Sequence, residues 1–140
     1  MRHLLFLALL GAAPALATPP VTYLDAARVR AAFERGAVLL DGNGRDYMVH
    51  ASYRDRAGQG EVHTQDADVI YVLEGAATFV TGGTLTDATP TARDELRGSG
   101  IAGGETRTLA AGDVIVVPAG TPHWFKAVQR PVRYFVVKVR

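Results

Sequence analysis

The chain of 140 residues contains no cysteine, so neither disulfides nor thiolate chemistry are available to it. It has no run of like charge: 15 Lys and Arg are interspersed with 14 Asp and Glu, for a net charge of +1. That balance excludes the basic footprint of a nucleic-acid binder and the cationic patch of a protein that sits on anionic membranes. It shows no internal repeat, no low-complexity tract, no Ser-His-Asp order, no phosphate loop and no dinucleotide fingerprint. Long apolar runs are missing too, apart from one at the N-terminus, Leu4 to Leu10, which is too short to span a bilayer comfortably.

That run sits in an informative order. Met1-Arg2-His3 is a short basic start, the apolar stretch comes next, and Ala15-Leu16-Ala17 is a small-residue cleavage site ahead of Thr18-Pro19-Pro20. This is the layout of a secretory signal peptide cut after Ala17, and it predicts a periplasmic or secreted protein with no membrane association once residues 1–17 are removed. No Cys follows the run to take a lipid anchor, and His3 leaves with the leader. Three stretches are expected: a signal peptide at 1–17, an N-terminal segment with a helix at 18–36, and a single β domain at 37–140.

In the mature chain Ala26, Val29, Ala32 and Phe33 recur at helical spacing, predicting one helix over about 23–35. Thr22 is its expected cap, with Asp25 three residues on, and Gly36 its expected left-handed stop. Beyond Gly36 the chain is strand-like, and 15 Gly with 7 Pro suit a fold with many turns. Ala37 to Leu40 is a short apolar run before the turn Asp41-Gly42-Asn43-Gly44. Residues 46–54 alternate, with Tyr47, Val49, Ala51 and Tyr53 on one face and Met48, His50, Ser52 and Arg54 on the other. Val69–Leu73 and Ala76–Thr81 read as strands, and Gly82-Gly83 as a hairpin turn into Thr84-Leu85-Thr86. Val114–Val117 reads as a strand covered on both faces, and Val132–Val139 as the last strand. The stretch 87–105, rich in Thr, Gly and charge, is expected to be a long loop. Short strands between Gly-rich turns predict an all-β sandwich or barrel.

The most specific segment is Gly112-Asp113-Val114-Ile115-Val116-Val117-Pro118-Ala119-Gly120-Thr121-Pro122-His123. Gly112-Asp113 turns into a buried strand, Pro118-Ala119-Gly120 makes a tight bend, and His123 enters the next strand just beyond it. A lone histidine there would be a hydrogen-bonded core residue by default. The spacing, however, resembles the second cupin motif, G-x5-P-x-G-x2-H-x3-N, at every fixed position but the last, where Ala127 replaces Asn. The first cupin motif, G-x5-H-x-H-x3-4-E-x6-G, is present in altered form: Asp68 stands for the Glu, six residues before Gly75, His63 for the second His and Glu61 for the first. Placing His63 on the first His position instead would put Gln65 on the second and leave only two residues before Asp68. The resemblance runs over about residues 45–140.

A cupin resemblance implies a double-stranded, jelly-roll-like β-barrel, here with one short N-terminal helix, and commonly a divalent metal held by three His and one Glu. On the matching positions this chain offers Glu61, His63, Asp68 and His123. Residues 61 and 63 share strand parity, so both can point inward. Two imidazoles and a carboxylate suit non-haem iron, with Mn, Ni or Zn as alternatives; Glu61 is either a further ligand or a base beside an open position. The resemblance implies a metal-dependent enzyme acting on a small organic molecule, of oxygenase type, or else a non-catalytic module that binds a small molecule or serves structure without metal. It also implies a homodimer, since pairing protects sheet edges. Elsewhere, His50 reads as a surface or hydrogen-bonded histidine, with a place near the pocket as the alternative; Arg97 and Arg107 read as exposed solvated charges, with contact to an anionic substrate as the alternative; and of Trp124 and Phe125 one is expected to line the pocket and the other to pack outside.

Overall fold

A computed structural model describes residues 20–140. The signal peptide and its cleavage site lie outside the described residues.

The helix, α1, spans Ala26–Ala32, shorter than expected at both ends. Asp25, not Thr22, is its cap: the Asp25 carboxylate accepts the Arg28 amide at 2.9 Å. Val29 and Ala32 turn partly inward and Phe33, just past the end, is buried edge-on against Phe135 with ring centroids 4.8 Å apart.

Eleven strands make up the rest of the described chain: β1 (Ala37–Leu40), β2 (Tyr47–Arg54), β3 (Gly60–His63), β4 (Ala67–Thr81), β5 (Thr84–Thr86), β6 (Thr89–Ala92), β7 (Glu95–Gly98), β8 (Gly100–Ala102), β9 (Glu105–Ala110), β10 (Val114–Val117) and β11 (His123–Val139). Two long strands organise the others. β4 and β11 run antiparallel along their whole lengths, from Val139 opposite Ala67 to His123 opposite Thr81. At one end they are flanked by β10 beside β4, and by β2 and then β1 beside β11. At the other end β9 lies beside β4, while β3, β7 and β6 line up in that order beside β11. Each long strand thus belongs to two sheets that face each other, which is the jelly-roll barrel expected. β5 and β8 form a separate two-stranded ribbon.

The bend occurs midway, where the β4–β11 register slips between Phe125 and Ala127, Val128 and Arg130, and Arg130 and Arg133. The slips change which residues face inward. Before the bend His123 and Phe125 are buried; after it Val132, Tyr134 and Val136 are. Opposite, Gly75 (φ +88°) lets β4 pass against β11: a Cβ there would sit 2.0 Å from the Pro131 carbonyl oxygen. The core between the sheets is built from Ile70, Val72, Ala77, Phe79, Leu109, Val117, Phe125, Val132, Tyr134 and Val136.

Three expectations need correction. The stretch 87–105 is not a loop; it carries β6, β7 and β8, because backbone pairing with β3, with β5 and between β6 and β7 holds these strands without an alternating apolar face. Gly82-Gly83 does not close a hairpin: β5 pairs with β8, not with β4. Val114 and Val116 are more than half exposed, so β10 is covered on one face only.

Candidate metal centre

The four residues singled out from the motifs come from three strands. Glu61 and His63 are on β3, Asp68 begins β4, and His123 begins β11, directly opposite Glu61. The bend before β11 is set by a Thr121 amide bonded to the Pro118 carbonyl, and the Gly120 amide donates to the His63 carbonyl at 2.7 Å. The loop that delivers His123 is therefore pinned to the strand that carries His63.

His63, Asp68 and His123 are the three buried polar residues among the described residues. His123 Nε2 lies 3.5 Å from a Glu61 oxygen and 3.6 Å from Asp68 Oδ2, and His63 Nε2 lies 3.6 Å from that same Asp68 oxygen. The two imidazole rings are 5.2 Å apart. Ligand atoms of Glu61, His63 and His123 all fall within 4.8 Å of one another.

The tautomer of His123 is set by its other nitrogen. Nδ1 lies 3.1 Å from the Thr121 carbonyl oxygen, which can only accept, so the proton is on Nδ1. In the neutral ring the Nε2 lone pair faces carboxylate oxygens, and Nε2 is buried without a hydrogen-bond partner. Acceptors converge there with no donor between them, an arrangement that a cation resolves. Atoms bound about 2.1 Å from a common ion lie roughly 3.0–3.4 Å apart. The separations of 3.5 and 3.6 Å come close to that, and a carbonyl holding the outer imidazole nitrogen is the usual support of a metal-bound histidine. The residues present fit a divalent ion.

Around the cluster lies a cavity of about 220 Å³. Most of its charged groups are paired. Arg97 bridges Glu61 at 3.0 Å and Glu95 at 2.6 Å, and Lys138 holds Asp68 Oδ1 at 2.7 Å. Burial alone would raise the Glu61 pKa, but the hydrogen bond and positive charge of His123 in its protonated form, together with Arg97, outweigh it and hold the carboxyl down at about 2. Burial, reinforced by Lys138, lowers the pKa of both His63 and His50, so both imidazoles are neutral near pH 7. Uncharged imidazole is the form that binds metal.

One sequence expectation is overturned here, and an open alternative is decided. Arg97 is not a solvated surface charge; β7 lies beside β3 with Arg97 opposite Glu61, and that pairing draws the guanidinium over the carboxylate. Of the readings open for His50, the place near the pocket is the one found: it lines the cavity, and its Nε2 is buried without a partner. The alternation of β2 already placed it on the face with Ser52 and Arg54, which was the available signal. Lys138 and Glu95 were not foreseen, since nothing in spacing marks an ion pair across 70 residues. Phe125 lines the cavity and Trp124 packs outside it, as expected. Arg107 lies away from the cluster, bonded to Thr81 and paired with Glu105.

Comparison with known proteins agrees with the architecture. The family model described as Cupin matches residues 43–139, and the chain belongs to that family. Among solved structures it is similar to a protein from Bacillus halodurans, at 14% identity and TM-score 0.58, over 86% of this chain and 82% of that one. It also resembles the polyketide cyclase RemF from Streptomyces resistomycificus (20% identity, TM-score 0.50, 74% of this chain, 63% of that one). A third is the DMSP lyase DddQ from Ruegeria pomeroyi (17% identity, TM-score 0.51, 75% of this chain, 46% of that one). The chain spans less than two thirds of the length of either enzyme, and likeness at these identities speaks to fold alone. No curated protein matches the chain.

Proposed function

We propose that this cupin holds one divalent metal ion through Glu61, His63 and His123, with Asp68 as a fourth, Lys138-braced carboxylate, and that it acts on a small organic molecule bound in the cavity. The observation that carries the reading is His123 Nε2, buried without a partner and aimed at carboxylates while Thr121 fixes its tautomer. When bound, such an ion supplies Lewis acidity and, if it is iron, the redox chemistry of an oxygenase. The chain's own contribution is positional. Arg97 orients Glu61, Lys138 orients Asp68, Thr121 orients His123, and the walls of Ile70, Phe125 and Val136 limit access of water.

The test is metal content of the purified protein beside His63→Ala and His123→Ala, with circular dichroism to confirm folding. About one ion of iron, manganese, nickel or zinc per chain is expected in the wild type, and its loss from both variants. A wild type that takes up none of these on refolding overturns the metal reading. One observation favours the alternative, a metal-free binding module: Arg97 and Lys138 already neutralise Glu61 and Asp68 without an ion.

Export and pairing complete the proposal. The leader-like order of residues 1–17 supports secretion or periplasmic residence. The exposed apolar side chains Tyr71, Leu73, Val114 and Val116 on the outer face of β4 and β10 support a homodimer.

A further inference from the structure

One of the cavity's three fixed cations has no carboxylate partner among the described residues, although the cavity's cations and carboxylates are equal in number. Of its three fixed cations, Arg97 is taken by Glu61 and Glu95, and Lys138 by Asp68. The third, Arg54 at the end of β2, makes no ion pair among the described residues, and its Nε is buried without an acceptor. Its guanidinium is nonetheless held in place. It stacks on the Phe125 ring, 4.8 Å from the centroid, and lies beside the Tyr134 hydroxyl, which Ser52 also reaches. From the other side the loop at Gly58 closes over it: a Cβ on Gly58 would fall 2.3 Å from Arg54 Nη1, so a side chain there would push the guanidinium aside. That loop is fixed in turn by the Gly58 amide on the Phe125 carbonyl and by Trp124 Nε1, which donates to the Gly58 carbonyl at 2.8 Å.

A clamped, partly buried arginine without a counterion is a costly arrangement unless an anion is to arrive. We propose that the cavity takes a small organic carboxylate and that Arg54 holds its carboxyl group; the inference rests on the reading of this cavity as a ligand site. The planar fork of guanidinium matches a carboxylate with paired hydrogen bonds. A single unpaired cation calls for a monoanionic head, whereas a phosphate dianion would want more donors than remain free. Ile70, Phe125, Tyr134 and Val136 offer an apolar wall to the rest of the molecule. A cavity of about 220 Å³ is below the usual range of roughly 300–1,000 Å³ for drug-sized ligands, so the acid is compact. The three cations cancel Glu61, Asp68 and Glu95, so a divalent ion bound at the cluster would add a positive field that favours the same ligand.

Trp124 is the chain's one tryptophan, and its bond to Gly58 makes it a reporter of what Arg54 binds. The experiment monitors its fluorescence while metal-free and zinc-loaded protein are titrated with propionate, butyrate, benzoate and succinate, each beside its amide, and with inorganic phosphate. At least one acid should bind ten or more times tighter than its amide. Arg54→Gln should abolish that preference, Arg54→Lys should restore it only in part, and Gly58→Ala should weaken it by displacing the guanidinium. Thermal melts show that the variants are folded. The proposal falls if no acid is preferred over its amide in either form, if phosphate binds tighter than every acid, or if Arg54→Gln keeps the preference. A chain that takes up no metal yet keeps an Arg54-dependent preference overturns the metal reading alone. A chain that binds metal without preferring acids overturns this proposal alone.

Discussion

Replacing Asp68 with Asn separates what that carboxylate does for the fold from what it does for the site. The side chains of Asp68 and Lys138 are 5% and 13% exposed, and the ammonium sits 2.7 Å from Oδ1. Asn keeps the shape but removes the charge, leaving an ammonium in a largely dry cavity. Breaking a buried ion pair from one side costs about 3–5 kcal/mol. Lys138 retains some contact with water, which places the expected loss at the lower end, about 3 kcal/mol. For a domain of this size that is a fall in Tm of roughly 10 °C. Lys138→Met should cost a similar amount, and the double variant far less than the sum, with a coupling of about 2–3 kcal/mol. Urea unfolding of all four proteins at pH 8 in the presence of chelator measures the cycle without any metal contribution. Single losses below about 1 kcal/mol, or a strictly additive double variant, would refute the reasoning. If Asp68→Asn stays stable without metal yet takes up less metal than the wild type, Asp68 serves the ion rather than the fold.

Two further outcomes are set by backbone and charge. Gly75→Ala meets both a left-handed φ of +88° and the Pro131 carbonyl, whereas Gly112→Ala at φ +95° has open space around its Cβ. Thermal melts should show a loss of about 1–2 kcal/mol at Gly112 and a clearly larger one at Gly75; the reverse order would refute the close approach at the bend. Glu61 is held at about 2 in the fold, below its ordinary 4.5, so its stabilisation is complete above 4.5 and lost as pH falls toward 2. Urea midpoints of metal-free protein between pH 5 and 2 should drop less steeply in Glu61→Gln than in wild type. His63 and His50 act higher: with their pKa values lowered from 6.5, the fold binds fewer protons than the unfolded chain, and stability declines as pH falls below that value.

Much of this was legible in the sequence where chemistry repeats locally. The alternation in β2 placed His50, Ser52 and Arg54 on one face, and the Gly112–His123 segment placed an inward imidazole at the head of a strand. What was hidden depends on partners distant in sequence. Glu74-Gly75 looks like the end of a strand, but β4 runs through it because Gly75 lets the chain bend against Pro131. β6 and β7 carry no apolar pattern, since their backbone is paired by β3 and by each other while their side chains remain largely polar. Arg97 enters the site only through that pairing. The buried role of Lys138 depends on Asp68 lying opposite it, a matter of register in β4 and β11 rather than of either local sequence.

The slipped register in the middle of β11 also sets what the chain can tolerate in length. Odd-numbered residues face inward before the bend and even-numbered ones after it, so His123 and Tyr134 share an interior only while the intervening segment keeps its present count. Loss or gain of one residue between Phe125 and Val132 would force one half of the strand to turn over. Either the imidazole would leave the cluster or Val132, Tyr134 and Val136 would leave the core. A change of two residues preserves the facing of both halves. For this barrel, then, length in that short stretch is a parity condition, and it ties the integrity of the core to the presence of a site at all.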